Sequence, residues 1–237
     1  MTLDPVDVDF TWELKETRSF LQSLGFADSA QFLQQARTYL TALYTANATT
    51  NLTRVPANLA EERHILDSLL LLKFLPEGSR LVDIGSGPGI PGWFVAAVRP
   101  DVQVCCVESN GKFARFLRSQ PLPNLTVLEQ RAEIDPMEES FNVATGRAVA
   151  PFGIQAELSA PWLKIGGRLL PFRTPSEQED IERANVGMLG LKLTAMHEVP
   201  LPGSDVVRLF PEFEKVRSTD PNYPRTWAKI KAKPLGR

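Results

Sequence analysis

The stretch VDIGSGPGIPG, Val82 to Gly92, places four glycines directly behind a short apolar run. Glycine loses more backbone freedom on folding than any other residue, so this density needs a reason. A turn from a buried strand into a helix N-terminus supplies one, because its backbone N–H groups stay clear for a ligand. A tight strand–helix turn without ligand is the competing reading. Spacing narrows the choice. The dinucleotide fingerprint is G-x-G-x-x-G, whereas Ile90 stands where its third glycine would fall.

Downstream of this loop, short β-branched runs alternate with helical patterns. RLVDIG (80–85), VQVCCVE (102–108), LTVLEQ (125–130), FNVATG (141–146) and GRLLPF (167–172) read as strands. Between them, 111–120 carries Phe113, Phe116 and Leu117 on one helical side. Such alternation predicts a mostly parallel sheet covered by helices on both faces, an α/β Rossmann-like fold. Thr174-Pro175-Ser176-Glu177 spells a helix start, with Pro at the first position and Glu as capping-box partner. The last two strand candidates, 192–200 and 205–213, are separated only by LPGS. That gap is too short for a crossover helix, so these two pair antiparallel.

Upstream, the pattern is helical. Leu14, Leu21 and Leu24 recur at helical spacing, and a second helix is expected from Asp28, with Gln31 completing a capping box. It places Phe32, Ala36, Tyr39, Leu40 and Leu43 on one face. ANATTNLTRVPAN (46–58) is polar and β-branched enough to interrupt it. Asn58 with Glu61 opens a third helix through Ile65, Leu66, Leu69 and Leu72, which Pro76 closes. The chain thus divides into a helical cap (1–76), a core (77–216) and a basic tail (217–237).

Composition excludes few functions. At 43% apolar and 23% charged, with net charge −2, the chain is an ordinary globular sequence. No apolar run reaches the roughly 18 residues of a membrane span, and the acidic MTLDPVDVDF lacks the pattern of a secretory signal. Cys105 and Cys106 are adjacent in an apolar run, which suits buried small hydrophobes of a reducing cytoplasm and no metal site. Arg217, Arg225, Lys229, Lys231, Lys233 and Arg237 face a single Asp220 in the tail. They form either a solvated, partly frayed end or a phosphate-contacting edge.

Ligands of open α/β sheets sit beyond the carboxyl ends of the strands, which selects further candidates. Glu108 closes the second strand, where a carboxylate can accept from both ribose hydroxyls. Gln130-Arg131-Ala132-Glu133 follows the third strand, placed to wall an adenine. Thr145-Gly146-Arg147-Ala148 ends the fourth, and Arg147 can orient a carboxylate or phosphate in a bidentate manner.

The loop pattern D-x-G-x-G-x-G resembles the first motif of S-adenosylmethionine-dependent methyltransferases of Rossmann-like fold, with Asp83, Gly85, Gly87 and Gly89 in place. Further blocks narrow the resemblance. NATTNLTRV followed by HILDSL, then VDIGSGPGIPG, ESNGKFARFLR, QRAE, GRA and NYPRTWAKIKAKPL match in order and spacing. Together they resemble the RsmG (also called GidB) family, which methylates N7 of a guanine in the decoding region of 16S ribosomal RNA. The resemblance implies cofactor contacts from the loop around Gly85 to Ile90, Ala132 and Glu133 beside the adenine, and Arg147 at the methionine end. It also implies that Asn47, Asn51, His64 and Asp67 brace the cap against the core, with His64 as a structural histidine. The expected partner is ribosomal RNA or a small-subunit assembly intermediate, contacted by Arg225, Lys229 and Lys231, and the enzyme is expected to be a cytoplasmic monomer. Three positions depart from the family pattern: Ala46 for Trp, Gly146 for Ser, and Arg173-Thr174 for Lys-Gly. Because N7 carries a free lone pair, no general base is expected and no catalytic residue is assigned. Two other readings stay open on residues alone: a methyltransferase for a small molecule or protein, and a non-catalytic cofactor- or RNA-binding assembly factor.

Overall fold

Seven strands form one sheet in the order β3-β2-β1-β4-β5-β7-β6. They are β1 (Arg80–Ile84), β2 (Gln103–Val107), β3 (Leu125–Leu128), β4 (Phe141–Thr145), β5 (Leu163–Leu169), β6 (Leu191–Pro200) and β7 (Val207–Lys215). The computed structural model describes residues 12–137 and 139–235. Pairing is parallel from β3 through β5, while β7 runs antiparallel to both β5 and β6. The predicted α/β architecture and the antiparallel last pair are therefore both present. Strand order reverses between β1 and β4, and the crevice for a ligand opens at such a switch point.

Helices cover both faces. Before the sheet lie α1 (Lys15–Ser23), α2 (Ala30–Thr50) and a helical run over 57–74, which includes the π-helical turn Glu61–Leu66 and α3 (Asp67–Leu69). Then come α4 (Gly92–Val98), α5 (Gly111–Arg118), α6 (Phe152–Ser159), α7 (Gln178–Glu182) and α8 (Trp227–Ala232). The N-terminal helices share one buried cluster with α4, Leu81, Val104, Cys106 and Val143. Val82, Ile84, Cys105, Val107 and Ala144 pack with α6 and Ile230 on the other face. The period of two along a strand sends the adjacent cysteines to opposite cores, and burial pushes both thiols up. The cap is joined to the glycine loop directly. Tyr39 stacks on Trp93 at 4.3 Å between ring centroids, and its hydroxyl donates to the Pro88 carbonyl at 2.8 Å.

Several local expectations are corrected. The Thr174–Glu177 capping box forms as read. In contrast, α2 starts at Ala30 with Ser29 as N-cap, and no Asp28–Gln31 box closes it. Glu61 caps a different helix, since its carboxylate accepts the Thr17 N–H of α1 at 2.8 Å. The segment 46–50, expected to interrupt α2, continues it to Thr50. A local side-chain bond pattern offsets its weak propensity: Asn47 Oδ1 collects the Leu52 and Thr53 N–H groups at 2.6 and 2.8 Å. Asn51 ends the helix in the left-handed conformation, and the Lys112 ammonium donates to the Thr50 and Asn51 carbonyls.

The tail is docked. Arg225 meets the fully buried Glu157 of α6 through Nε and Nη2 at 2.6–3.2 Å, and its backbone N–H also reaches that carboxylate. A Cβ on Gly153 would lie 1.7 Å from the Leu235 carbonyl oxygen, so the chain end passes over α6 at glycine distance. Arg237 and the acidic N-terminal stretch through Phe10 lie outside the described residues. Removing Arg225 leaves the Glu157 charge buried without compensation, which costs about 3–5 kcal/mol. R225A is therefore expected to lower the unfolding free energy by that amount with an unchanged m-value; a loss below about 1 kcal/mol would show the tail undocked in solution.

Candidate functional site

The loop after β1 is built from the end of β2. Gly85 and Ser86 donate their N–H groups to the Val107 carbonyl at 2.8 and 3.3 Å. Gly87 donates to Glu108 Oε2 at 2.8 Å, and Asn110 donates to the other oxygen at 2.7 Å. Gly85, Gly87 and Gly89 all have positive φ, which side-chain-bearing residues rarely adopt. At Gly87 a Cβ would meet open space, so the turn and not a neighbour selects glycine there. At Gly92 a Cβ would stand 2.5 Å from Cys106 Sγ, so the start of α4 is pressed onto β2.

A cavity of about 380 Å³ opens beyond these strand tips. Six of the candidate cofactor residues line it: Gly85, Gly87, Glu108, Ala132, Glu133 and Arg147. Asp83, Gly89 and Ile90 do not. Asp83 is fully buried behind the loop, where Oδ2 accepts the Gly92 N–H at 2.8 Å. Ile90 is part of the cap-side core, and Gly89 faces Leu117 and Trp93. These three shape the loop from behind.

Sequence reasoning missed Trp227. It reaches the cavity from α8, with the Arg131 guanidinium 5.4 Å from its ring centre. Its place in the family-like NYPRTWAKIKAKPL block was the available signal. Lys229 and Lys231 are exposed on α8, whereas Arg225 is committed to Glu157. The structure thus separates the three residues assigned together to RNA.

Arg147 points away from the loop toward the cap. Its Nη1 donates to the Arg63 carbonyl at 2.6 Å and to Asp67 Oδ2 at 2.8 Å. Asp67, fully buried, also accepts from Arg208 of β7. Ala148 follows Arg147 with φ of 55°, an uncommon conformation that marks a constrained strand end. Near this network His64 is buried against Tyr44, with Nε2 3.1 Å from the Thr53 hydroxyl. Desolvation first, then the Arg147 charge, pulls its pKa down to about 3, so it is neutral at physiological pH. That is the environment of a packing histidine. Arg173 turns inward, donating to the Ala150 carbonyl, Glu177 and Gln155, and burial lowers its pKa.

A family model described as rRNA small subunit methyltransferase G matches residues 32–200. Relatives named ribosomal RNA small subunit methyltransferase G span most of the chain. The protein from Lactobacillus delbrueckii subsp. bulgaricus is 32% identical, covering 85% of this chain and 91% of its own. That from Synechococcus sp. is 33% identical over 98% and 95%. That from Fusobacterium nucleatum is 34% identical over 86% and 91%. Among solved structures, a TehB-like SAM-dependent methyltransferase from Corynebacterium glutamicum has a TM-score of 0.51 at 17% identity, covering 74% of this chain and 98% of that one. M. jannaschii TYW2 in complex with AdoMet has a TM-score of 0.50 at 15% identity, over 64% and 75%. These structural likenesses are of fold.

Asp83 and His64 contribute opposite pH slopes to stability. Burial raises Asp83 from 3.8 to about 7, while the Gly92 N–H and Arg147 oppose the rise. Between those values the folded chain keeps a proton that the unfolded chain has lost, so this contribution to stability falls as pH rises. For His64, between about 3 and 6.5, the unfolded chain carries the extra proton, so its contribution rises with pH. D83N removes only the falling slope. Its stability relative to wild type is expected to climb by up to about 1.4 kcal/mol per pH unit between roughly pH 4 and 6.5, read from urea unfolding of cofactor-free protein. A flat difference would place the Asp83 titration elsewhere.

Proposed function

The chain belongs to the rRNA small subunit methyltransferase G family, and from that premise we propose that it transfers a methyl group from S-adenosylmethionine to N7 of a guanine in the decoding region of small-subunit RNA. The observation that carries the cofactor assignment is the Glu108–Gly87 contact at the mouth of the 380 Å³ cavity. A carboxylate held by two backbone N–H groups keeps acceptor capacity for a ribose edge, while the glycine beside it leaves room for the ligand. In this reading Gly85 and Gly87 present backbone, Ala132 and Glu133 border the adenine, and Arg147 closes the methionine end. Asp83, Gly89 and Ile90 serve by holding the loop. Trp227 joins the adenine end, which gives the tail of 217–237 a part in cofactor binding. The cap of 1–76 contributes Arg63 and Asp67 to the acceptor side.

Gly85, Gly87, Glu108, Ala132 and Glu133 would hold S-adenosylmethionine in the cleft, where it would supply an electrophilic sulfonium methyl to the N7 lone pair, the C–S bonding electrons returning to sulfur. No proton leaves N7, so the chain needs no general base. The elevated pKa of Asp83 does not make it one, since its carboxylate is sealed behind the loop on Gly92. What the residues supply is placement, which by itself can lower a barrier by about 7–11 kcal/mol. Asp67 contributes placement too: both its oxygens are spent on Arg147 and Arg208, which fixes the two guanidiniums. N7 of paired RNA lies in a deep, narrow groove that side chains cannot read, so the acceptor is an unpaired or extruded guanine. The enzyme acts as a cytoplasmic monomer and without a metal. No helix among the described residues is long and apolar enough to cross a membrane.

Tritiated cofactor incubated with unmodified small-subunit RNA tests the reaction, with label expected on guanine N7 and label on protein or nowhere rejecting it. For the cofactor site, E108A is expected to weaken S-adenosylmethionine at least tenfold by calorimetry; unchanged affinity would remove Glu108 from the site. For the tail, charge reversal at Lys229 and Lys231 is expected to weaken RNA binding and flatten its salt dependence, with cofactor affinity retained. An unaltered salt slope would exclude the tail from the RNA contact.

A further inference from the structure

Residues 146–151 lead from β4 into α6, and Arg147, Ala148 and Val149 of this turn line the cofactor cavity. Val149 also reaches the glycine loop, since a Cβ on Gly85 would stand 3.2 Å from its side chain. Ala148, at a φ of 55°, holds a conformation that alanine does not favour. The turn therefore needs support from outside itself.

Gln155, fully buried in α6, supplies that support. Its Nε2 donates to the Gly146 carbonyl at 3.0 Å, at the start of the turn. Its Oε1 accepts from Arg173 Nη2. Arg173 Nη1 in turn donates to the Ala150 carbonyl at 2.9 Å, near the far end of the turn, and to Glu177 Oε1 at 3.1 Å. One buried amide and one guanidinium thus brace both ends of the turn. Glu177 Oε2 completes the network by accepting the Thr174 N–H at 3.0 Å. Gly146 and the Arg173-Thr174 pair, which both depart from the family pattern, therefore meet around Gln155. The departures fit one another. A Cβ at 146 would lie 2.6 Å from the Ile84 carbonyl oxygen and 2.7 Å from Gln155 Nε2, so glycine is what lets the amide in. A lysine at 173 would offer one nitrogen where the guanidinium offers two to separate partners.

We propose that Gln155 is a positioning residue for the cofactor and hence for methyl transfer: through the Gly146 carbonyl and Arg173 it fixes the turn whose Arg147, Ala148 and Val149 wall the cofactor cavity. The proposal rests on the RNA-methyltransferase reading above. Gln155 is 0% exposed, so it touches neither ligand, and its effect on the reaction passes through the turn. A misplacement of about 1 Å can cost a hundredfold in rate, which makes such a brace measurable.

Q155M keeps the bulk of the side chain and removes both hydrogen bonds. Its S-adenosylmethionine affinity is read by calorimetry, and its affinity for a fragment of unmodified small-subunit RNA by fluorescence anisotropy. Its single-turnover rate constant is read by tritium transfer with enzyme in saturating excess, where an unfolded fraction does not alter the rate. Q155M is expected to weaken S-adenosylmethionine at least threefold and to slow transfer at least tenfold, with RNA affinity within twofold of wild type. R173K is expected to match it, and Q155M/R173K to be no worse than either, since both act through one brace. Should Q155M not fold, Q155N keeps an amide too short to span both partners and carries the same expectation. Wild-type cofactor affinity and rate in the folded variant would overturn the proposal. So would an R173K that loses RNA affinity tenfold at an unchanged rate, because Arg173 would then contact RNA directly. If the wild type transfers no label to RNA while Q155M still weakens S-adenosylmethionine, the brace stands and the RNA reading falls. Label on RNA with Q155M indistinguishable from wild type gives the opposite result.

Discussion

The end of β2 holds the glycine loop open, and the site follows from that. Parallel pairing of β1 and β2 places the Val107 carbonyl and the Glu108 carboxylate where three successive N–H groups of Gly85, Ser86 and Gly87 point. Buried N–H groups must be satisfied, and these are satisfied from the neighbouring strand and not from within the loop. The loop can therefore lie as an open rim, its glycines in conformations that other residues rarely take. Glu108 has two tasks as a result. It fixes the loop, and it keeps lone pairs facing the cavity. A carboxylate that only capped α5 would not need the bond to Gly87.

From this rim the architecture extends in two directions. On the cap side, the Tyr39 hydroxyl reaches Pro88 and its ring lies on Trp93, so α2 rests on the loop's outer surface. The cap and that face of the sheet share one buried cluster, and the cap is braced on the core as much as hinged to it. On the opposite face, Glu157 of α6 pins Arg225, and the same segment carries α8 and Trp227 to the cavity beyond the strand tips. The C-terminal segment thus borders the cavity with Trp227, while the N-terminal helices hold the glycine loop from behind.

The strands and the loop were legible because each is encoded locally. RLVDIG and VQVCCVE are continuous apolar runs, as strands buried on both faces must be, and the glycine spacing reports its own backbone. The antiparallel last pair followed from the length of LPGS alone. What failed depended on distant partners. Residues 46–50 are poor helix formers, yet Asn47 ties the helix end to Leu52 and Thr53, and Lys112 closes it from outside. Glu61 fits a capping box in its own segment and instead caps α1. Arg225 reads as a free cation until Glu157, 68 positions away, is placed beneath it. Of the arginines that line a second cavity, Arg147 and Arg173 stood in stretches the sequence singled out, whereas Arg63 and Arg208 carried no signal, since only the topology unites the four.

The chemistry explains why no catalytic dyad was found where one would ordinarily be sought. A reaction whose nucleophile is already unprotonated gains nothing from a tuned base, and the shifted Asp83 and His64 both stand away from the cavity. Asp83 is shifted up behind the loop, and His64 is shifted down within the N-terminal helices. Desolvation governs both, which is the signature of burial and not of a group aimed at substrate. The polar groups that face the cavities are instead charge-paired and rigid: Glu108 on backbone, Arg147 and Arg208 on Asp67. Rigid pairs are what positional catalysis requires, because tolerance lost at the reacting atoms cannot be recovered by acid–base help.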